Sequence, residues 1–117
     1  MKTIIAGSRS ITNNNTLLGA LELVPWSITE VVCGNARGVD TLGRNWAYDN
    51  KIPIKYFPAM WNKYGKAAGP IRNKQMAEYA DSLLLVWDGV SRGSKNMYET
   101  WTSLKGTNNV INVIIRS

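Results

Sequence analysis

The sequence predicts an α/β domain: a five-stranded parallel β-sheet with helices on both faces. Three observations predict it. Short apolar runs alternate with segments of helical periodicity, in the order β-α-β-α-β-α-β-α-β. The connections between them are short, as parallel strands joined by crossover helices require. The chain of 117 residues is long enough for one buried core and contains no repeat, linker or low-complexity stretch. One domain, 1–117, is expected.

Each element has its own signal. Lys2 to Ala6 is a strand, followed by the turn Gly7 to Thr12. Asn13 to Val24 is a helix with Leu17, Leu18, Leu21 and Val24 on one face, stopped by Pro25. The second strand runs from about Thr29 to Cys33, and Gly34 to Gly38 is the turn after it. A helix to about Asn50 buries Val39, Leu42, Trp46 and Ala47. Ile52 to Phe57 is the third strand, with Pro53 at its start, where the missing N–H costs least. Pro58 to Gly69 reads as an irregular loop whose length and aromatic content point to a function. Pro70 sits in the first turn of a helix ending near Ala80. Ser82 to Trp87 is the fourth strand. The last helix begins at Gly93 or Ser94, carries Met97, Trp101 and Leu104 on its inner face, and ends near Gly106. Asn109 to Ile115 is the fifth strand.

Composition removes several chemistries. There is no histidine, so His-based triads, acids and metal ligands are excluded. Cys33 is the lone cysteine, at the end of an apolar strand, and reads as a small buried hydrophobe. No disulfide, metal site or cofactor is expected. The apolar runs are too short to span a bilayer, and the N-terminus enters a strand without a signal-peptide pattern, so a cytoplasmic protein with no membrane partner is expected. The net charge of +6 suggests an anionic partner, either a nucleotide or a nucleic-acid strand.

The placement of charge is more informative than its sum. In an open parallel sheet, ligands bind outside the C-terminal ends of the strands. Arg9, Arg37, Lys63, Lys66, Arg72, Arg92 and Lys95 all fall on that edge, half of the fourteen cations. The segment Asp88 to Asn96 joins the fourth strand to the last helix and carries two glycines, two hydroxyls, an amide and two cations. Those are the groups that hold a phosphate at a helix N-terminus. No G-x-G-x-x-G and no P-loop sequence is present.

Taken together the turns resemble the SLOG superfamily, closest to its small YspA-like, cpYpsA-related branch. The resemblance rests on Gly7-Ser8-Arg9, then Gly34 to Asp40 with Trp46-Ala47, then Phe57-Pro58-Ala59 with Trp61 and Lys63, then Gly65 to Asn73, and finally Gly93 to Asn96. It covers nearly the whole chain. It implies a Rossmann-like sheet and binding of nucleotides or nucleotide-derived ligands. The superfamily also includes the Lonely Guy phosphoribohydrolases and DNA-processing protein A. Its members often self-associate, so the resemblance implies a homo-oligomer. Two departures stand out. Asn35 replaces a glycine usual in the branch. Met97 stands where the phosphoribohydrolases carry the glutamate of their G-T-x-x-E pattern, although their R-x-x-x-M pattern is kept as Arg72 and Met76. Glu99, two residues on, belongs to a different helix face. The hydrolase activity is therefore not carried over.

The first expectation is a sensor or sequestering protein for a nucleotide or nucleotide-derived signal. Arg9, Arg37, Arg72, Ser94 and Asn96 would grip phosphate, and Gly7, Ser8, Gly34, Asn35, Gly38, Asn73, Arg92, Gly93 and Lys95 complete the expected ligand-binding set. Asp40 or Asp88 would reach ribose, and Trp61 with Tyr64 would close over the base. Each has a plainer reading: Asp40 and Ser94 as helix caps, Asp88 as a turn residue, Arg37 as an ion-pair partner of Asp40. Arg72 at a helix N-terminus opposes the helix dipole, which favours an anion beside it. An enzyme cleaving an N-glycosidic or phosphate bond is the second expectation, with Asp88, Asp40 or Glu99 as its carboxylate. Single-stranded nucleic-acid binding is the third.

Overall fold

The structure is a computed structural model that describes residues 1–116. Five parallel strands form one sheet in the order β3-β2-β1-β4-β5. They are β1 (Lys2–Gly7), β2 (Glu30–Cys33), β3 (Ile54–Tyr56), β4 (Ser82–Trp87) and β5 (Val110–Ile114). From β1 the chain steps outward through β2 and β3, then crosses back to the other side of β1 for β4 and β5. The reversal between β1 and β4 is the switch point at which such sheets open a crevice. The fold is the α/β, Rossmann-like sheet that the sequence predicts.

The helices divide between the two faces because the strands bury alternate residues on alternate sides. On one face α1 (Asn14–Leu21) and α2 (Val39–Asp49) cover Ile5, Val31, Leu84 and Val86. On the other, α4 (Ala68–Tyr79) and α5 (Arg92–Lys105) cover Ile4, Val32, Leu83, Leu85 and Trp87. All six residues of β4 are buried, as expected for a central strand covered on both sides. Each of its leucines contributes about 1.5–3 kcal/mol by leaving water. Trp101 is fully buried in the α5 face, whereas Trp46 is only partly buried.

Three departures from the sequence expectations have physical causes. The stretch after β3 is ordered: Met60 precedes a short helix α3 (Trp61–Tyr64), a 3-10 turn over Gly65–Ala67 follows, and α4 starts at Ala68. Proline 70 is thus the third residue of α4, still within the turn whose N–H groups need no helical partner. Second, α1 stops at Leu21, so Val24 lies beyond the helix and is only partly buried; within it Leu17 and Ala20 form the buried face and Leu18 is exposed. Third, α5 starts at Arg92 with Ser91 as its N-cap, so Gly93 and Ser94 lie inside the first turn. Leu104, next to the last residue of α5, is 46% exposed rather than in the core.

Two glycines set how closely the strand ends approach. Gly7 faces Val86 across the β1–β4 pairing, and a Cβ there would lie 1.7 Å from the Val86 carbonyl oxygen. Gly38, before α2, has φ +73°, and a Cβ there would lie 2.2 Å from the Ser8 carbonyl oxygen. These contacts bring the turns after β1, β2 and β4 together at one end of the sheet. Cys33 ends β2 fully buried, and burial pushes its thiol up to about 11, which keeps it protonated and inert.

Candidate functional site

The turns meet around a two-lobed cleft at the C-terminal ends of β1, β2 and β4. The first lobe, about 350 Å³, lies between the β1 turn (Gly7 to Ser10), Asp40 of α2, Arg72 and Met76 of α4, and the start of α5. The second, about 320 Å³, opens between Gly34 to Arg37, Pro58, Ala59 and Trp61. Arg9, Ala36 and Arg72 belong to the walls of both lobes.

Ser8 ties the floor together. It is buried, and its Oγ accepts from the Asp88 N–H at 3.0 Å. Its own N–H donates to Val86 O at 3.1 Å, and its carbonyl accepts from Val39 N–H at 3.3 Å. One residue thus joins the β1 turn to the β4 turn and to the first turn of α2. A network of this kind holds the cleft open in a fixed shape.

Arg72 is the central cation. It is the fifth residue of α4, because that helix begins at Ala68, and so lies beyond the first turn where the dipole would oppose it. Its Nη1 donates to Gly34 O at 2.8 Å and its Nε to Asn73 Oδ1 at 3.0 Å. Both acceptors are neutral. The guanidinium is therefore fixed in direction without being discharged by them. Burial and the nearby Arg9 charge lower its pKa, while Asp40 pulls it the other way. Gly34 gives it passage, since a Cβ on Gly34 would lie 2.0 Å from Arg72 Nη1.

Asp40 is 5% exposed and faces the first lobe from the first turn of α2. Its Oδ2 accepts from the Ala36 N–H at 3.3 Å, tying back the turn after β2. Its helix is capped by Gly38, and Arg37 is exposed on the rim of the second lobe. Burial raises the Asp40 carboxyl above the usual carboxylate range, against the pull of Arg72 and the Ala36 N–H. The sign of the consequence is fixed. A folded pKa above the unfolded value lends stability that is full below about 3.8 and is lost as pH rises through the folded value. Asp40→Asn is expected to melt at a higher temperature than wild type near neutral pH, with the gap closing in acid. Thermal melts over a pH series check this; parallel curves would mean that the carboxyl carries no desolvation cost.

Asp88 serves the turn. Its Oδ1 accepts from Val90 N–H at 2.9 Å and Ser91 N–H at 2.8 Å, and these bonds hold its carboxyl below the usual range. It lines the first lobe as a carboxylate and is poorly suited to donate a proton. Glu99 lies elsewhere, on a shallow groove with Lys74, Thr100 and Ser103. Met97, at the position of the hydrolase glutamate, lines the first lobe with Met76.

The remaining predicted residues separate into those the fold gathers and those it does not. Gly93 and Ser94 line the first lobe, and Ser94 Oγ accepts from Ser91 Oγ at 3.2 Å instead of capping α5. Asn73 lines the first lobe, and its Nδ2 donates to Asn96 Oδ1 at 2.9 Å, bracing α4 against α5; Asn96 itself lines neither lobe. Arg92 and Lys95 are exposed and line neither lobe. Trp61 is 53% exposed at the second lobe, whereas Tyr64 is not among its lining residues. Trp87 is core, with its Nε1 donating to Asn112 Oδ1 at 2.7 Å. Asn35 adopts φ +61°, a conformation that asparagine tolerates better than most residues. Its Oδ1 accepts from Arg44 Nη1 at 3.4 Å, so the branch's glycine is replaced without loss of the turn.

Sequence reasoning missed Ser91, Ala36, Met76 and Met97 as lining residues. Ser91 had a readable signal, a serine three residues after a turn aspartate and just before a helical pattern. The two methionines had one only through the resemblance, which sets Met76 in the R-x-x-x-M pattern and Met97 at the glutamate position; their spacing alone fits a core face.

Among the described residues, no helix is long and apolar enough to cross a membrane. No cluster of acidic or sulfur ligands that would hold a metal occurs among them. A family model described as YAcAr, the YspA, cpYpsA-related SLOG family, matches residues 1–64. That is more than half of the chain and runs from β1 through α3. No curated protein and no solved structure matches.

Proposed function

The chain belongs to the YspA, cpYpsA-related SLOG family, and on that footing we propose that it binds a nucleotide or nucleotide-derived ligand in this cleft, as a sensor or a sequestering protein. One observation carries the reading. Arg9 and Arg72 stand in the wall common to both lobes, and Arg72 is oriented by two neutral oxygens that leave its charge for an anion. A phosphate between the two arginines would relieve their mutual repulsion and accept paired N–H bonds. The N-terminal turn of α5, with Gly93 and Ser94 on the cleft, would add its dipole. Asp40 would accept from ribose hydroxyls, which accounts for a carboxylate kept buried at a cost to stability.

Binding without turnover is favoured by the carboxylates. Asp88 is occupied by its own turn, Glu99 lies off the cleft, and Met97 offers no proton. One observation favours an enzyme instead: Asp40, with its raised pKa, is the carboxyl in the cleft suited to proton transfer. Loss of product formation in Asp40→Asn, with binding retained, would establish that reading.

The test is a thermal-shift panel of mononucleotides, dinucleotides, cyclic dinucleotides, ADP-ribose and short single strands, with wild type and Arg9→Ala side by side. Arg9 is exposed, so its removal leaves the fold intact. A ligand at a hundred times its Kd is expected to raise the melting temperature of wild type by about 10 °C. The shift should be much smaller in Arg9→Ala. Silence from every small nucleotide, with affinity rising with strand length and falling steeply with salt, would replace this reading by nucleic-acid binding.

A further inference from the structure

The two lobes differ in character yet share a charged wall. The first has an apolar floor of Ala6, Met76 and Met97 and a buried carboxyl, Asp40. The second is edged by Pro58, Ala59 and the exposed indole of Trp61, with Arg37 at the rim. Each lobe alone, at about 350 and 320 Å³, is near the lower limit of ligand pockets; the two together fall well inside the usual range of about 300–1,000 Å³. A mononucleotide with its phosphate between Arg9 and Arg72 would fill one lobe and leave the other to water.

We infer that the ligand is two-headed: two nucleoside-like units joined through phosphate, with the bridge held between Arg9 and Arg72 and one unit in each lobe. This rests on the nucleotide reading above and narrows it. The unit in the first lobe lies over Met76 and Met97, with its sugar hydroxyls within the domain of Asp40. The unit in the second lobe lies against Trp61, where an aromatic face gives stacking that is tolerant of base identity. The shared wall makes the two lobes act as linked sites, and linkage raises affinity without any new contact.

The experiment is titration calorimetry of the full chain with AMP, ADP-ribose, diadenosine diphosphate, cyclic di-AMP and a short single-stranded oligonucleotide. At least one two-headed compound is expected to bind about 100-fold more tightly than AMP. The linear and cyclic compounds then distinguish an open bridge from a closed one. In Trp61→Ala, whose side chain is 53% exposed and carries little of the core, the preference for that compound over AMP is expected to fall by roughly 5- to 150-fold. AMP binding as tightly as every two-headed compound would overturn the inference and leave the nucleotide reading standing. An unchanged preference in Trp61→Ala would overturn the assignment of the second lobe. An oligonucleotide tighter than every dinucleotide would overturn it in favour of a strand groove. No heat from any probe would overturn both readings.

Discussion

Arg72→Ala is expected to lower affinity for the phosphate-bearing ligand by about 2–5 kcal/mol, roughly 30-fold to several thousand-fold. The side chain reaches from α4 to the turn after β2, and both of its bonds serve to aim it. Removing it takes away the cation common to both lobes and leaves Asp40 without the charge that opposes its burial. Stability near neutral pH should therefore fall as well, so affinity is to be measured well below the melting temperature. Gly34→Ala separates the two effects. The new methyl group would lie 2.0 Å from Arg72 Nη1 while Gly34 itself needs no left-handed backbone. It should displace the guanidinium and weaken binding comparably, with the arginine still present. Calorimetry on both variants checks this. Wild-type affinity in Arg72→Ala would mean that the anion is held elsewhere.

Gly7→Ala is expected to cost at least about 3 kcal/mol of folding stability, from a total that is typically 5–15 kcal/mol for a domain. Its Cβ would lie 1.7 Å from Val86 O and 2.9 Å from Val39 Cγ2. Neither neighbour can swing aside: one is backbone of the central strand, and the other is a fully buried β-branched side chain. The strands β1 and β4 would have to part where their pairing ends. Gly19→Ala is the control. It lies in α1 with no atom within 4 Å of the added Cβ, and should stabilise by about 0.5–1 kcal/mol. Urea denaturation of the two variants gives the comparison. A Gly7→Ala protein as stable as wild type would show that the sheet end yields easily.

The parts of this molecule that were legible in its sequence are those set by strong local patterns. The run Leu83 to Trp87, bounded by turn signals, reads as a buried strand, and β4 has the expected bounds, Ser82–Trp87. The turns after β1, β2 and β4 were legible as a site because glycine, hydroxyl and arginine cluster there, and the switch-point rule brings them together. The rest depended on packing. The spacing of Met97 and Trp101 gives the inner face of α5, but which residues of its first turns meet the cleft depends on how the helix packs beside the turn after β4: Ser94 and Met97 line the first lobe, whereas Arg92, Lys95 and Glu99 line neither. The helix α3 was hidden for a different reason. Four residues without a buried side chain have no periodicity to read, and their order comes from neighbours. The resemblance of the turns to the YspA-like branch was also legible, and it is the reading with which the family match agrees.

The crossing of the chain from β3 to β4 has one further consequence. It makes the cleft a seam between two nearly equal segments of polypeptide. Arg9, Asn35, Ala36, Arg37 and Asp40 come from before α3, while Arg72, Asp88, Ser91, Gly93 and Ser94 come after it. The segments are joined covalently only through the exposed α3 region and are stitched mainly by the five paired positions of β1 and β4. A ligand seated there would act as a rivet across the seam. A chain nicked at α3 would then behave as complementing fragments whose association depends on the ligand, and the molecule could serve as the recognition half of a split reporter.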